Sequence, residues 1–128
     1  MSTDWTPISE IELYNEIQKT ELDLNGELSN FWQLIRVTPS KWKEPNYGTE
    51  GNGFWVVAIC GKYIVWYNDI EEGFNISTYS VYGEISQYHC NQDELSWTVE
   101  RLFSLVKHGG NVIGTAGPPE PVKTANRI

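Results

Sequence analysis

Basic residues are scarce in this sequence. Nine Lys and Arg stand against seventeen Asp and Glu in 128 residues, for a formal net charge of −8. Setting aside Lys123, Arg127 and Glu120 near the C-terminus leaves seven bases against sixteen acids over residues 1–108. Nucleic-acid affinity comes mainly from Lys and Arg displacing counterions from phosphates, so nucleic acid is excluded as a partner class. The same balance argues against an anionic membrane surface and fits either plain solubility or a basic partner. Cysteine and histidine are rarer still, two of each. Cys60 and Cys90 lack C-x-x-C spacing, and His89 and His108 add no zinc-ligand pattern, so no metal site is expected and the thiols read as packed and free. No apolar run approaches the ~20 residues that span a bilayer, and Met1-Ser2-Thr3-Asp4 has no positive leader, so a cytoplasmic location is expected. Neither a phosphate loop nor a G-x-G-x-x-G or G-x-S-x-G motif occurs. Gly48, Gly51 and Gly53 precede a strand, whereas phosphate cradles precede a helix. No cofactor is expected.

Aromatic residues, by contrast, are abundant, with six Trp and seven Tyr. Five of them lie in the stretch from Gly53 to Tyr79, around which the chain is organised. Phe54 to Cys60 is apolar at every position, which predicts a central strand buried on both faces, with Phe54, Val56, Ala58 and Cys60 on one and Trp55, Val57 and Ile59 on the other. Gly61-Lys62 makes a tight turn into Tyr63–Tyr67. Asn68 to Gly73 turns the chain again into Phe74–Tyr79, whose alternation predicts one solvent-facing side. Glu84–His89 is expected as a further strand with Ile85 pointing inward.

Helical signals flank this core. The first helix starts either at Thr6-Pro7 or at a Ser9/Glu12 capping box, with Leu13, Tyr14 and Ile17 on one face, Glu12 and Glu16 turned outward, and a stop at Asn25-Gly26. Leu28, Phe31, Trp32 and Ile35 mark a second helix to about Leu34, passing into an extended segment from Ile35 to Thr38. Pro39 and Pro45 then open an irregular loop to Gly53. The last helix is predicted with Asn91 as cap, Glu94 three residues on, and Leu95, Val99, Leu102, Phe103 and Val106 as its stripe, ended by His108-Gly109-Gly110. The fold class is therefore α+β: N-terminal helical segments, a four- to five-stranded antiparallel meander, and a C-terminal helix packed on the sheet. Residues 1–108 form one domain, and 109–128, with Pro118, Pro119 and Pro121, read as a flexible tail.

Three places invite a chemical reading. The acidic turn Asp69, Glu71, Glu72 fails as an EF-hand, because Gly73 at loop position 6 would put Ile70 at 3 and Tyr79 at 12. As a hairpin tip it is expected to be solvated. His89-Cys90 lacks a base on the same face, since neighbours on a strand point oppositely, so catalysis is not expected. The strand aromatics either form a bare face that binds a partner or are covered by the Leu28–Leu34 helix or the Lys41–Tyr47 loop.

The run Trp66-Tyr67-Asn68-Asp69-Ile70-Glu71-Glu72-Gly73-Phe74-Asn75, followed by Cys90-Asn91-Gln92-Asp93-Glu94-Leu95, resembles a group of small bacterial proteins with no assigned activity. The resemblance covers roughly residues 5–105 and implies a bacterial cytoplasmic protein without supplying functional residues. In size, charge and α+β pattern alone the chain is also similar to toxin-neutralising immunity proteins. The expectation is a non-catalytic binding module, in one version immunity- or antitoxin-like, that offers Trp66, Tyr67, Asp69, Glu71 and Glu72 to a basic protein partner. Two alternatives stand beside it. One is a small-molecule-binding domain or enzyme with its pocket between the sheet and the 46–53 loop. The other is a structural homodimer that buries the aromatic face.

Overall fold

A computed structural model describes residues 6–49 and 52–110 of the chain. Helices α1 (Glu10–Asp23) and α2 (Gly26–Ile35) lead into strands β1 (Arg36–Trp42), β2 (Phe54–Cys60), β3 (Tyr63–Asn68) and β4 (Gly73–Thr78), and helix α3 (Leu95–His108) follows. The strands form one antiparallel sheet in the order β1-β2-β3-β4, with α3 packed against β4. The α+β meander expected from the sequence is what the chain forms. The tail from Asn111 onward lies outside the described residues.

Of the two starts open to α1, the backbone uses the second. The Ser9 side chain accepts from the Glu12 N–H, and the Glu12 carboxylate accepts from the Ser9 N–H and hydroxyl. This reciprocal cap satisfies donors that the first helical turn leaves unmatched. Asn25-Gly26 joins α1 to α2, with Asn25 as the N-cap of α2 making no side-chain bond. Leu13 and Ile17 are buried, while Tyr14 stays exposed.

The sheet carries a different core on each face. On the helix side, Leu13, Ile17, Phe31, Trp32, Ile35, Val99 and Leu102 pack on Val57, Ala58, Val65, Phe74 and Ile76. A bulge between Val56 and Ala58 lets both Val57 and Ala58 face the helices. Strict alternation through Cys60, as the sequence suggested, is therefore broken: Phe54, Val56 and Ile59 share the opposite face. There Trp42, Phe54, Val56, Ile64, Trp66 and Ile85 are buried, with Tyr79 and Tyr88 against them. The Phe54 and Trp66 ring centroids are 4.9 Å apart, and Trp66 lies 5.9 Å from Tyr88.

Residues 79–93 cover this second face, not α2. The stretch Glu84–His89 is no strand; its backbone meets the sheet through one isolated parallel bridge, Lys43 to Glu84, and a Ser86 N–H to Thr78 carbonyl bond at 3.1 Å. Ile85 does point inward. Side chains replace the missing ladder. Asn91 N–H donates to Asn75 Oδ1 at 2.8 Å and Asn75 Nδ2 donates to the Asn91 carbonyl at 3.0 Å. Gln87 Oε1 accepts from the Thr78 N–H at 2.8 Å, and Ser77 Oγ donates to the Gln87 carbonyl at 2.8 Å. Asn75 and Ser77 are thus fully buried, where a solvent-facing side of β4 was expected. Gly73 is required where this cover closes: a Cβ there would stand 2.2 Å from Gln92 Cα.

Two further expectations are corrected. Ser40–Trp42 belong to β1, because Pro39 sits on an edge strand at a register shift, where its missing N–H costs nothing. Asn91 is not the cap of α3. Its side chain donates to Asp93, Glu94 holds the N-cap position without a side-chain bond, and Val106 is exposed.

Candidate functional site

The β3–β4 turn is held from inside by Asn68. Its Oδ1 accepts from the Ile70 and Glu71 N–H groups at 3.0 and 3.2 Å, and its Nδ2 donates to the His89 carbonyl. A polar side chain bonding its own turn in this way is the usual device for a tight reversal. Fixing Asn68 toward the His89 side sends the next residue, Asp69, toward the helices. There the incoming segment before α1 crosses the turn, and Ile8 N–H donates to Asp69 Oδ2 at 2.9 Å.

The crossing leaves a cleft of about 440 Å³ whose walls include Ile8, Glu12, Asn15 and Glu16 on one side and Tyr67, Asp69 and Glu72 on the other. Four carboxylates thus converge from two segments separated by more than fifty residues. Asp69 is 6% exposed, and its Oδ1 has no hydrogen-bond partner among the described residues. Burial pushes the Asp69 carboxyl up, against smaller opposing contributions from the Ile8 and Asp69 backbone amides and from Lys41. The Tyr67 phenol is pushed up to about 12, first by burial and then by Glu72, Glu16, Asp69 and Glu12. The acids that raise it are those lining the cleft, so Tyr67 remains a neutral donor beside them.

The five residues singled out from the sequence do not form one surface. Tyr67, Asp69 and Glu72 meet in the cleft. Trp66 points the other way: it is fully buried, its Nε1 donates to Ser77 Oγ at 2.9 Å, and it offers nothing to a partner. The carboxylate of Glu71 acts on the far side too: burial first, then Cys90 and last Glu71 push the Tyr88 phenol up to about 12. Asp69 itself is a correction, since a solvated tip was expected and the N-terminal segment covers it. Glu12 and Glu16 were missed as site residues. Their i,i+4 spacing stacks two like charges on one helix face, which costs a few tenths of a kcal/mol and was the available signal.

A second, larger groove of about 670 Å³ lies where the 43–53 loop meets residues 84–86. This is close to where a small-molecule pocket was expected. Its buried acid, Glu44, is already engaged: Oε1 accepts from the backbone N–H groups of Asn46, Tyr47 and Gly48 at 3.0, 2.5 and 3.2 Å. Cys90, the other group of chemical interest, has its thiol pushed up by burial, the reverse of an activated nucleophile. Among the described residues no group of three or more His, Cys, Asp or Glu is placed to hold a metal ion. No helix among them is long and apolar enough to cross a membrane. No protein-family model matches the chain, and neither the curated proteins nor the solved structures contain a significant match to it.

Proposed function

We propose that this protein is a non-catalytic binding module that receives a basic group of a protein partner in the cleft between α1 and the β3–β4 turn. The observation that carries this reading is the gathering of Glu12, Glu16 and Glu72 with the buried Asp69 at one cleft, where, after burial, they together raise the Tyr67 phenol. Acids held at one cleft repel one another, and an incoming cation offsets that cost. Four bases among the described residues pair with acids away from the cleft, whereas Lys41 acts on Asp69. Arg36 pairs with Glu21, Arg101 with Asp93, Lys43 with Glu84, and Lys107 with Glu27. Lys19 reaches Glu16 at 3.4 Å, but both are exposed, and a surface pair of this kind is worth ~0–1 kcal/mol. A partner's cation displaces it at small cost. An immunity- or antitoxin-like role is one concrete form of this module, in which the basic partner is a toxin.

A homodimer formed through a bare aromatic face loses its motive, because residues 79–93 already cover that face. The test of the leading reading is a titration with a mixed Arg/Lys peptide at low and moderate salt. Glu16→Lys/Glu72→Lys is expected to weaken binding at least tenfold, and Asp23→Lys/Glu100→Lys, the same charge change away from the cleft, less than twofold. Equal weakening by both pairs would mean that net charge, and not the cleft, does the binding.

A further inference from the structure

Resting on the basic-partner reading, we infer that the outward face of α1 is a docking surface for a basic amphipathic helix of that partner. Leu13 and Ile17 bury one side of α1 in the core. Ile11, Tyr14 and Leu22 stand on the side away from it, 75%, 39% and 81% exposed. With Gln18 between Tyr14 and Leu22, these positions are spaced 3, 4 and 4 residues apart, so they run along one line of the helix. Single exposed apolar residues are ordinary on a protein surface. A row of them at the helical period, turned away from the core, is the anchor pattern by which one helix receives another. Ile11 and Leu22 lie about 16 Å apart along the axis, which matches a partner helix of about three turns.

Charge selects the occupant. α1 carries five acids, Glu10, Glu12, Glu16, Glu21 and Asp23, against the single base Lys19. A second copy of the chain would set this surface against itself, and an anionic membrane meets the same repulsion. A helix with lysine or arginine beside its apolar stripe meets opposite charge instead. The row and the cleft also adjoin. Glu12 and Asn15 directly follow Ile11 and Tyr14 in the chain, and both line the cleft together with Glu16. A helix seated on the row therefore carries its flanking bases past the lip of the acidic cleft, and one element of the partner engages both.

The surface is also preorganised. The reciprocal Ser9/Glu12 cap and the buried Leu13 and Ile17 hold α1 without any partner. Docking onto a helix already formed avoids the cost of ordering it.

The discriminating experiment uses the full chain and three peptides of equal length. The first has a leucine row at helical spacing flanked by lysine and arginine, the second has the same row flanked by glutamate, and the third scrambles the first. Binding is followed by NMR shifts of the α1 amides and by the helical circular dichroism that the peptide gains. The basic amphipathic peptide is expected to bind at least tenfold more tightly than either of the others. Ile11→Gln/Leu22→Gln should abolish that preference, while Leu34→Gln, at a comparably exposed leucine on α2, changes it less than twofold. The mixed Arg/Lys peptide, which has no apolar row, should bind Ile11→Gln/Leu22→Gln within twofold of the wild type. Equal binding of the first peptide and its scramble, or of the first and its glutamate version, overturns the helix-docking assignment. Continued binding of the mixed peptide then leaves the basic-partner reading standing. A concentration-dependent dimer, or binding to zwitterionic vesicles, that is lost in Ile11→Gln/Leu22→Gln would give the row to a second copy or to lipid and overturn the assignment as well. Binding of no basic peptide, with the chain folded and the α1 signals unmoved, overturns both.

Discussion

Two carboxylates in this protein are buried to nearly the same depth and are treated in opposite ways by the backbone around them. Glu44 is 4% exposed and Asp69 is 6% exposed. Around Glu44 the loop curls so that three successive amides donate to one oxygen. Asp69 receives the Ile8 amide on one oxygen at 2.9 Å, and the other has no partner among the described residues. The first is a staple: its charge is consumed in shaping the loop that brings Gly48 against Phe54. The second is an acceptor held in place with capacity to spare. Burial of an acid does not by itself mark a site; burial with unmet hydrogen-bonding capacity does.

Breaking each carboxylate in turn separates the two roles. Glu44→Ala should have the largest effect, a loss of about 3 kcal/mol in denaturant unfolding, because three loop amides lose a charged acceptor. Glu44→Gln keeps an oxygen in place and should lose clearly less. Ser9→Ala removes the α1 cap at a cost of about 1 kcal/mol. The backbone N–H of residue 9 still holds the Glu12 carboxylate, so affinity for the basic peptide should hold while stability falls.

Asp69→Asn is expected to go the other way from Glu44→Ala and to raise the melting temperature at neutral pH. A raised native carboxyl pKa means that the contribution to stability is full below the unfolded value near 3.9 and is lost as pH rises through the native value. The wild-type chain therefore carries the cost at neutral pH, and its deficit against Asp69→Asn should close as the solution is acidified toward pH 4. A melting temperature that falls in Asp69→Asn at pH 7 would make Asp69 another staple.

The smallest expected effect lies on the opposite face. Burial holds the His89 imidazole below its ordinary value of 6.5. A depressed native pKa contributes stability above the unfolded value that is lost as pH falls through the native one. Acidification below about pH 6.5 should thus destabilise the chain through His89, and His89→Gln should remove that component. This is opposite in sign to the Asp69 effect, so the two variants together resolve the pH profile into the two faces.

How much of this was legible in the sequence depends on how local the determining interactions are. The strands β2 and β3 and the turn at Gly61 were readable because apolar runs and a glycine turn are short-range signals. The α3 stripe was readable as far as Phe103, which packs on Phe31, and failed at Val106, which is exposed. The cover of the second face was not readable. Residues 79–93 have no period of their own; they are held by pairs such as Asn75 with Asn91 and Thr78 with Gln87, which become neighbours only after the sheet forms. Pro39 misled for a related reason, since whether a proline breaks a strand depends on whether that strand is an edge. In the site, the turn was found because its residues are contiguous. Its other wall was not, because Ile8, Glu12 and Glu16 reach Asp69 through the crossing of the N-terminal segment, more than fifty residues away in the chain.

The claim that the cleft acids receive a cation is tested most directly by titrating the Asp69 carboxyl by ¹³C NMR, in the free chain and with the mixed Arg/Lys peptide bound. The expected value lies above the ordinary aspartate range in the free chain and falls when the peptide's cation enters the cleft and favours the charged form. An ordinary or depressed value in the free chain that the peptide leaves unchanged would contradict it.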